Sequence, residues 1–376
     1  MGERRMKGRA LRRWWIIGLV AVFAGVLSAA AAVRHLTSSE HIERKLSVAI
    51  ASAHGVNRIR IGSSSFRPLR GSFVARDLEF LPDTLLLAQA TRAGLAPRTR
   101  YSVTAASLHA HGIRCWPLLR GRIVADSVIV DGARVDVYLD RTLGPAPPVK
   151  PATLPHVSFQ SIGRPIRIDV FRMTNAEIGY SEKAGDGSRP GTIRFTELWT
   201  TVTNVTNDST RMRPSTPCTI DLRTRIAGAG RLDTTFDYDL LSPRLNMTCR
   251  GSVSRMRAEP LNELLVNLEG IRLTGGVIDS TWFDFNVRED VARGTMQVLY
   301  RDVDIEILDK VTLDRGLGAR LQTFITDKAT LNHANPSDDQ APAKVATILR
   351  ERSPETPLLK FLWETLREGI LSTLGV

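Results

Sequence analysis

Residues 128–139 read Val128-Ile129-Val130-Asp131-Gly132-Ala133-Arg134-Val135-Asp136-Val137-Tyr138-Leu139. Val128 and Val130 share one side, and after Asp131-Gly132 the apolar residues Val135, Val137 and Leu139 alternate with Asp136 and Tyr138. Successive side chains of a strand point to opposite faces, so this pattern gives one apolar and one wetter face. Asp-Gly in the middle is a turn signal. The stretch predicts two strands with a single covered side, the signature of an antiparallel sheet.

The same period runs outward in both directions. Ile59 and Ile61 alternate with Arg58 and Arg60, and Ile166, Ile168 and Val170 with Arg167 and Asp169. Phe236, Tyr238 and Leu240 alternate with Asp237 and Asp239, and Val303, Ile305 and Ile307 with Asp302, Asp304 and Glu306. About 14–18 such segments are expected, which predicts a mainly β fold. A weak repeat links them: Val130-Asp131-Gly132-Ala133-Arg134-Val135 resembles Met173-Thr174-Asn175-Ala176-Glu177-Ile178, and both resemble Leu273-Thr274-Gly275-Gly276-Val277-Ile278. Gly or Asn tolerates a left-handed bend, and the small residue lets the next strand fold close. Repeated strand–bend–strand units predict stacked rungs of an elongated antiparallel trough.

The breaks divide the chain into a first β-region over 34–141, a second over 166–334, and C-terminal helices over 335–376. Between the β-regions, 142–165 holds Pro145, Pro147, Pro148, Pro151, Pro155 and Pro165, a linker or an extended crossing segment. Short helices are predicted at 38–54 and 260–268, and two more near the C-terminus. The last, 357–374, puts Leu359, Leu362, Trp363, Leu366, Ile370 and Leu374 on one stripe. That helix either docks on the β-structure or lies on a membrane or partner; its weakly basic polar face favours docking.

The N-terminus sets the compartment. Residues 1–13 carry Arg4, Arg5, Lys7, Arg9, Arg12 and Arg13 against Glu3. Residues 14–33 follow without a charge, including Trp14, Trp15, Ile16, Ile17, Leu19, Val20, Val22, Phe23, Val26 and Leu27. A helix of that length spans about 30 Å, the thickness of a bilayer core. The positive-inside rule places the tail in the cytoplasm and the remainder across the membrane. A cleaved signal peptide is the rival reading, since Ala29–Ala32 offers an Ala-x-Ala site; the apolar run exceeds the roughly 7–15 residues of a signal core, which favours a retained single-pass anchor.

The full chain has 376 residues, 43% hydrophobic and 24% charged, enough for a packed core. Its net charge of +12 is densest in the topology signal, and aromatics are 6%, which disfavours nucleic acid as a partner. No phosphate loop, H-E-x-x-H, C-x-x-C or G-x-S-x-G is present, so no catalytic residue, metal or cofactor is expected. His109 and His111, with Cys115, are the nearest approach to a metal set, but lack further ligands in sequence. Asp302/Asp304 and Asp237/Asp239 read as solvated strand faces, and Ser63, Ser64 and Ser65 as a loop. Cys218 and Cys249 are candidates for a disulfide that spacing alone does not establish. Arg67, Arg70 and Arg76 read either as solvated or as contacts for anionic headgroups.

The basic tail, single membrane segment, short helix and β-rungs together resemble the AsmA-like superfamily of bacterial envelope proteins, which includes AsmA and TamB. The likeness rests on Gly55–Phe80, on Ser107–Leu139, and on Met256–Ile307 with Gly275-Gly276-Val277-Ile278-Asp279 and Tyr300-Arg301-Asp302-Val303. The resemblance implies a non-catalytic inner-membrane protein whose bulk is periplasmic, with membrane lipids or envelope proteins as partners. It implies a trough with an apolar inside that transports or shields lipid, or assists outer-membrane biogenesis. Its wall is then expected to include Val128, Val130, Val135, Val137, Ile166, Ile168, Val170, Val303, Ile305 and Ile307. The alternative is an anchored β-rich scaffold that recruits protein partners. About 16 rungs stack to roughly 77 Å, so this chain departs from the long family members, and a bridge between two membranes built from one copy is not expected.

Overall fold

The computed structural model describes residues 57–143, 154–185, 189–208, 216–308, 333–337 and 340–374. The predicted tail, membrane segment and helix at 38–54 lie outside these residues. Among the described residues no helix is long and apolar enough to cross a membrane.

The alternation read in the sequence becomes sixteen strands among the described residues. They are β1 (Asn57–Arg67), β2 (Ser72–Pro82), β3 (Thr99–His111), β4 (Ile123–Asp131), β5 (Arg134–Asp140), β6 (Ile166–Lys183), β7 (Gly191–Thr206) and β8 (Cys218–Ile226). The chain continues with β9 (Gly230–Tyr238), β10 (Met247–Val253), β11 (Met256–Arg257), β12 (Ile271–Leu273), β13 (Val277–Arg288), β14 (Val291–Arg301), β15 (Ile305–Ile307) and β16 (Ala346–Glu351). Five α-helices interrupt them: α1 (Thr84–Arg92), α2 (Cys115–Leu119), α3 (Pro155–Gln160), α4 (Asn262–Glu269) and α5 (Leu358–Leu374).

Fourteen strands form one sheet in the order β1-β2-β3-β4-β6-β7-β8-β9-β10-β13-β14-β16, with β5 between β3 and β6 and β11 against β13. Every pairing in it is antiparallel except those of β4 and β5 with β6, which are parallel. The Pro-rich segment explains that departure. The chain leaves β5 at Asp140, beside Lys183, and re-enters the sheet at Ile166, beside Ile123. Those points lie at opposite ends of an 18-residue strand, roughly 60 Å apart, so 142–165 is the crossing segment.

The repeat has a physical counterpart. Gly132 (φ 63°) and Asn175 (φ 51°) both adopt the left-handed conformation, which a residue with no side chain, or Asn, tolerates best. They sit side by side: Gly132 N–H donates to the Thr174 carbonyl at 3.0 Å, and Glu177 N–H to that of Ala133 at 2.8 Å. The carboxylate of Asp131 accepts from the Thr174 hydroxyl at 2.7 Å and the Asn175 amide at 2.8 Å. In the third copy the left-handed residue is Gly276 (φ 106°), one place later.

Two predicted elements are corrected. Ser63, Ser64 and Ser65 belong to β1, paired with Arg76, Ala75 and Val74, instead of forming a loop. Residues 346–351, expected within a C-terminal helix, are strand β16 against β14; Ala346 and Ile348 are buried and Thr347 and Leu349 exposed. Six residues are too few for periodicity to separate strand from helix, and pairing with the edge of β14 decides. Helices α1 and α2 were not expected from the pattern at all.

Candidate functional site

The apolar side of the sheet gathers two main cores. The first runs from Ile59, Ile61 and Phe73 through Ile123, Val128 and Val130 to Ile166 and Met173, and takes in Phe159 of α3. The second joins Tyr238, Met247, Phe283, Phe285, Met296 and Ile348 to Phe361 of α5, and takes in Leu154 just before α3. The end of the crossing segment thus wedges between the cores. His156 is buried there, its Nε2 2.7 Å from the Ser242 carbonyl and its Nδ1 2.8 Å from the Tyr238 hydroxyl. A carbonyl only accepts, so Nε2 carries the proton and Nδ1 accepts from the tyrosine. Burial, offset in part by the bond to Ser242, holds this imidazole below its ordinary pKa.

The ten proposed wall residues do not form one continuous wall. Val128, Val130, Val137, Ile166 and Ile168 are buried core. Val135 and Val170 are half-buried on the same sheet. Val303 lies in a loop and Ile305 and Ile307 in β15, which pairs with β12 in a separate two-stranded ladder. That ladder packs beside α4 on a third small core with Leu371 of α5.

Over β6–β9 part of the apolar face is only half-covered. Register aligns Val202 of β7 with Ile220 of β8, and Ile220 with Phe236 of β9; Leu222 lies in the adjacent row. Phe195, Ile178, Leu222, Val202, Leu232 and Phe236 remain half-buried at the margins of the two cores. Sequence reasoning read only Phe236 of this region as apolar-facing, because Thr200, Thr224 and Thr234 interrupt the alternation of its neighbours. Pairing registers, not hydropathy, reveal it.

At the far end α5 occupies the apolar face. Phe361, Thr365, Gly369, Leu371 and Thr373 are its buried residues, while Leu359 and Trp363 are 54% and 37% exposed. Four residues of the predicted stripe, Leu362, Leu366, Ile370 and Leu374, pack against the second core, with the small residues Thr365, Gly369 and Thr373 buried beside them, and the helix docks on the face of β14 and β16. A Cβ at Gly369 would stand 2.6 Å from the Met296 sulfur, so glycine sets how closely the helix approaches. The Thr365 hydroxyl donates to the Phe361 carbonyl at 2.8 Å and needs no partner outside the helix. Arg350 clamps the helix through Glu364 at 2.6 Å and Glu368 at 3.4 Å.

The opposite face is a lattice of cross-strand ion pairs: Arg194–Glu177 at 2.7 Å, Arg225–Glu197 at 3.0 Å and Arg250–Asp237 at 3.2 Å. A shallow depression of about 460 Å³ among Glu197, Trp199, Arg223 and Arg231 lies there. Asp237 is thus tied into a strand face, whereas Asp304 faces His333 at 3.0 Å from a loop. His109 and His111 stack at 6.3 Å, but the Cys115 thiol donates to the Pro68 carbonyl at 3.2 Å. No group of three or more His, Cys, Asp or Glu side chains gathers among the described residues. Cys218 and Cys249 are free thiols on β8 and β10, with β9 between them, and burial pushes both up to about 12.

No family model matches the chain, and none of the curated proteins matches it.

Proposed function

We propose that this chain is a non-catalytic, membrane-anchored protein of the bacterial envelope, in which a curved β-trough shields lipid acyl chains. The observation that carries the reading is the one-sided sheet: its apolar face bears two main cores and stays half-covered between them over β6–β9. Shielding one methylene from water is worth about 0.8 kcal/mol, so a few half-buried rungs suffice to hold part of an acyl chain. On this reading α5 covers the face of β14 and β16, residues 154–160 cover the Tyr238 side of β9, and lipid enters along Phe195, Leu222 and Leu232. The resemblance to the AsmA-like superfamily supports the envelope setting and the single anchor.

The test places a photo-crosslinking phenylalanine analogue at position 195 or 222 of the full chain in living cells, with position 199 as the opposite-face control. Phospholipid adducts at 195 and 222 but not at 199 are expected. Absence of lipid adducts at both inner positions overturns the reading. Protein adducts there would favour the second reading, a scaffold for protein partners. That reading draws on β16, an edge strand whose Val345 and Leu349 flank are 46% and 59% exposed, since an open edge is a template for pairing.

A further inference from the structure

At the end of the sheet where β1 turns into β2, two loops meet. Gly71, which closes the turn, accepts at its carbonyl from Ile113 N–H at 2.8 Å, and the Cys115 thiol donates to the Pro68 carbonyl at 3.2 Å. The turn 68–70 and helix α2 therefore stand together as one tip. Its residues invert the usual division between inside and outside: Leu69 is 103% exposed, Trp116 65% and Leu119 69%. Leu118 of the same helix is buried in the first core, so α2 is held from below while its other side points outward.

The rim of the tip is basic. Arg120 stacks its guanidinium 4.7 Å from the centre of the Trp116 ring. Arg114 pairs with Asp126 at 3.4 Å and Arg122 with Asp208 at 3.0 Å. Arg67, Arg70 and Arg120 have no carboxylate within ion-pair distance among the described residues. An exposed tryptophan and two leucines beside arginines with no carboxylate partner among the described residues match the water–bilayer boundary: indole and leucine enter the acyl edge, and guanidinium groups meet phosphate. A protein partner with an acidic rim would also suit the charge, but an exposed indole stacked under a guanidinium beside a fully exposed Leu69 is the pairing of the bilayer boundary.

We propose that this tip docks on an anionic bilayer surface, with Leu69, Trp116 and Leu119 inserted and Arg67, Arg70 and Arg120 on the headgroups. The tip lies outside the half-covered face over β6–β9, and either reading can fail without the other.

The test uses the full chain with a fluorophore on Leu69→Cys in a Cys115→Ser background, since the other two thiols are buried. The vesicles contain 30% phosphatidylglycerol in phosphatidylcholine, or phosphatidylcholine alone, each with nitroxide-labelled acyl chains. Quenching on the anionic vesicles, weaker in high salt and absent for a dye on Thr347→Cys of the outer face, is expected. Each arginine near such a surface favours binding by about fivefold, so Arg70→Glu with Arg120→Glu is expected to weaken the quenching titration at least tenfold. Both positions are exposed, and unchanged circular dichroism checks that the fold survives. Equal quenching on neutral vesicles, no quenching on either, or indifference to the charge reversal overturns the proposal.

Discussion

At the residue scale, the burial of a few polar groups controls stability, and the sequence hardly marks them. His156 is held neutral among Tyr238, Ser242 and Leu154, with its pKa lowered chiefly by burial. Its unfolded value is about 6.5. A depressed folded value means the unfolded chain binds the proton first. The contribution is therefore complete above about pH 6.5 and is lost as pH falls from there through the folded value. Urea midpoints at pH 8 and pH 5 are expected to fall further for the native chain than for His156→Gln; equal falls would show that His156 takes no part. Asp290 makes a second case. With Glu289 it forms the two-residue turn between β13 and β14, both at positive φ, and its carboxylate takes Arg352 at 2.7 Å, with side chains 18% and 7% exposed. Asp290→Asn keeps the turn but strands a buried guanidinium, and is expected to cost roughly 3 kcal/mol in chemical denaturation. Neighbouring Glu289 pairs with Arg244 at 61% and 62% exposure, and Glu289→Gln is expected to cost less than about 1 kcal/mol. Asn207 is likewise silent in sequence. Its side chain bonds the carbonyls of Phe159, Ile162 and Arg164 and the N–H of Ile166, fixing where the crossing segment becomes β6.

At the element scale, periodicity was legible, and the contacts that seat each element were not. The alternation of β1, β4 and β9 survives into the structure because a strand's side-chain period is a local property, whereas in β6 it holds for Ile166 and Ile168 and fails at Val170, which pairs with Ser127 and Thr203 on the opposite face from Val128 and Phe171. Helix α5 shows the limit. Its apolar residues announce a helix with a sticky side, but Thr365, Gly369 and Thr373 turn inward because small residues permit close contact with Met296 and Tyr300. Gly369→Leu is expected to push α5 off the sheet, at about 1–3 kcal/mol, and to raise binding of a hydrophobic dye as Phe283 and Ile348 are uncovered. An unchanged dye signal and midpoint would show that the helix is not seated by that contact. Strand β16 illustrates the converse: Ala346 and Ile348 are apolar at a spacing of two, but only the edge of β14 makes them a strand.

At the scale of the whole molecule, chain order and sheet order nearly coincide, so stability is organised in neighbouring rungs with two main cores. Phe73, 1% exposed in the first core, is expected to cost about 3–5 kcal/mol on truncation to alanine. Hydrogen exchange should then accelerate in β1–β3 before β13 and β14; uniform acceleration would mean that the crossing segment welds both cores into one cooperative unit. By itself the sequence determined the β class, the apolar face of most strands, the bends at Gly132 and Asn175, and a Pro-rich break between two β-regions. Those follow from side-chain alternation and backbone freedom, which neighbouring residues dictate. Tertiary structure alone decided that β4 and β5 run parallel to β6, that Val303, Ile305 and Ile307 leave the main sheet, and which parts of the apolar face are covered. The physical reason is that an apolar strand face is satisfied equally by a helix, a crossing segment or a bound lipid chain, and only the long-range path of the chain selects among them.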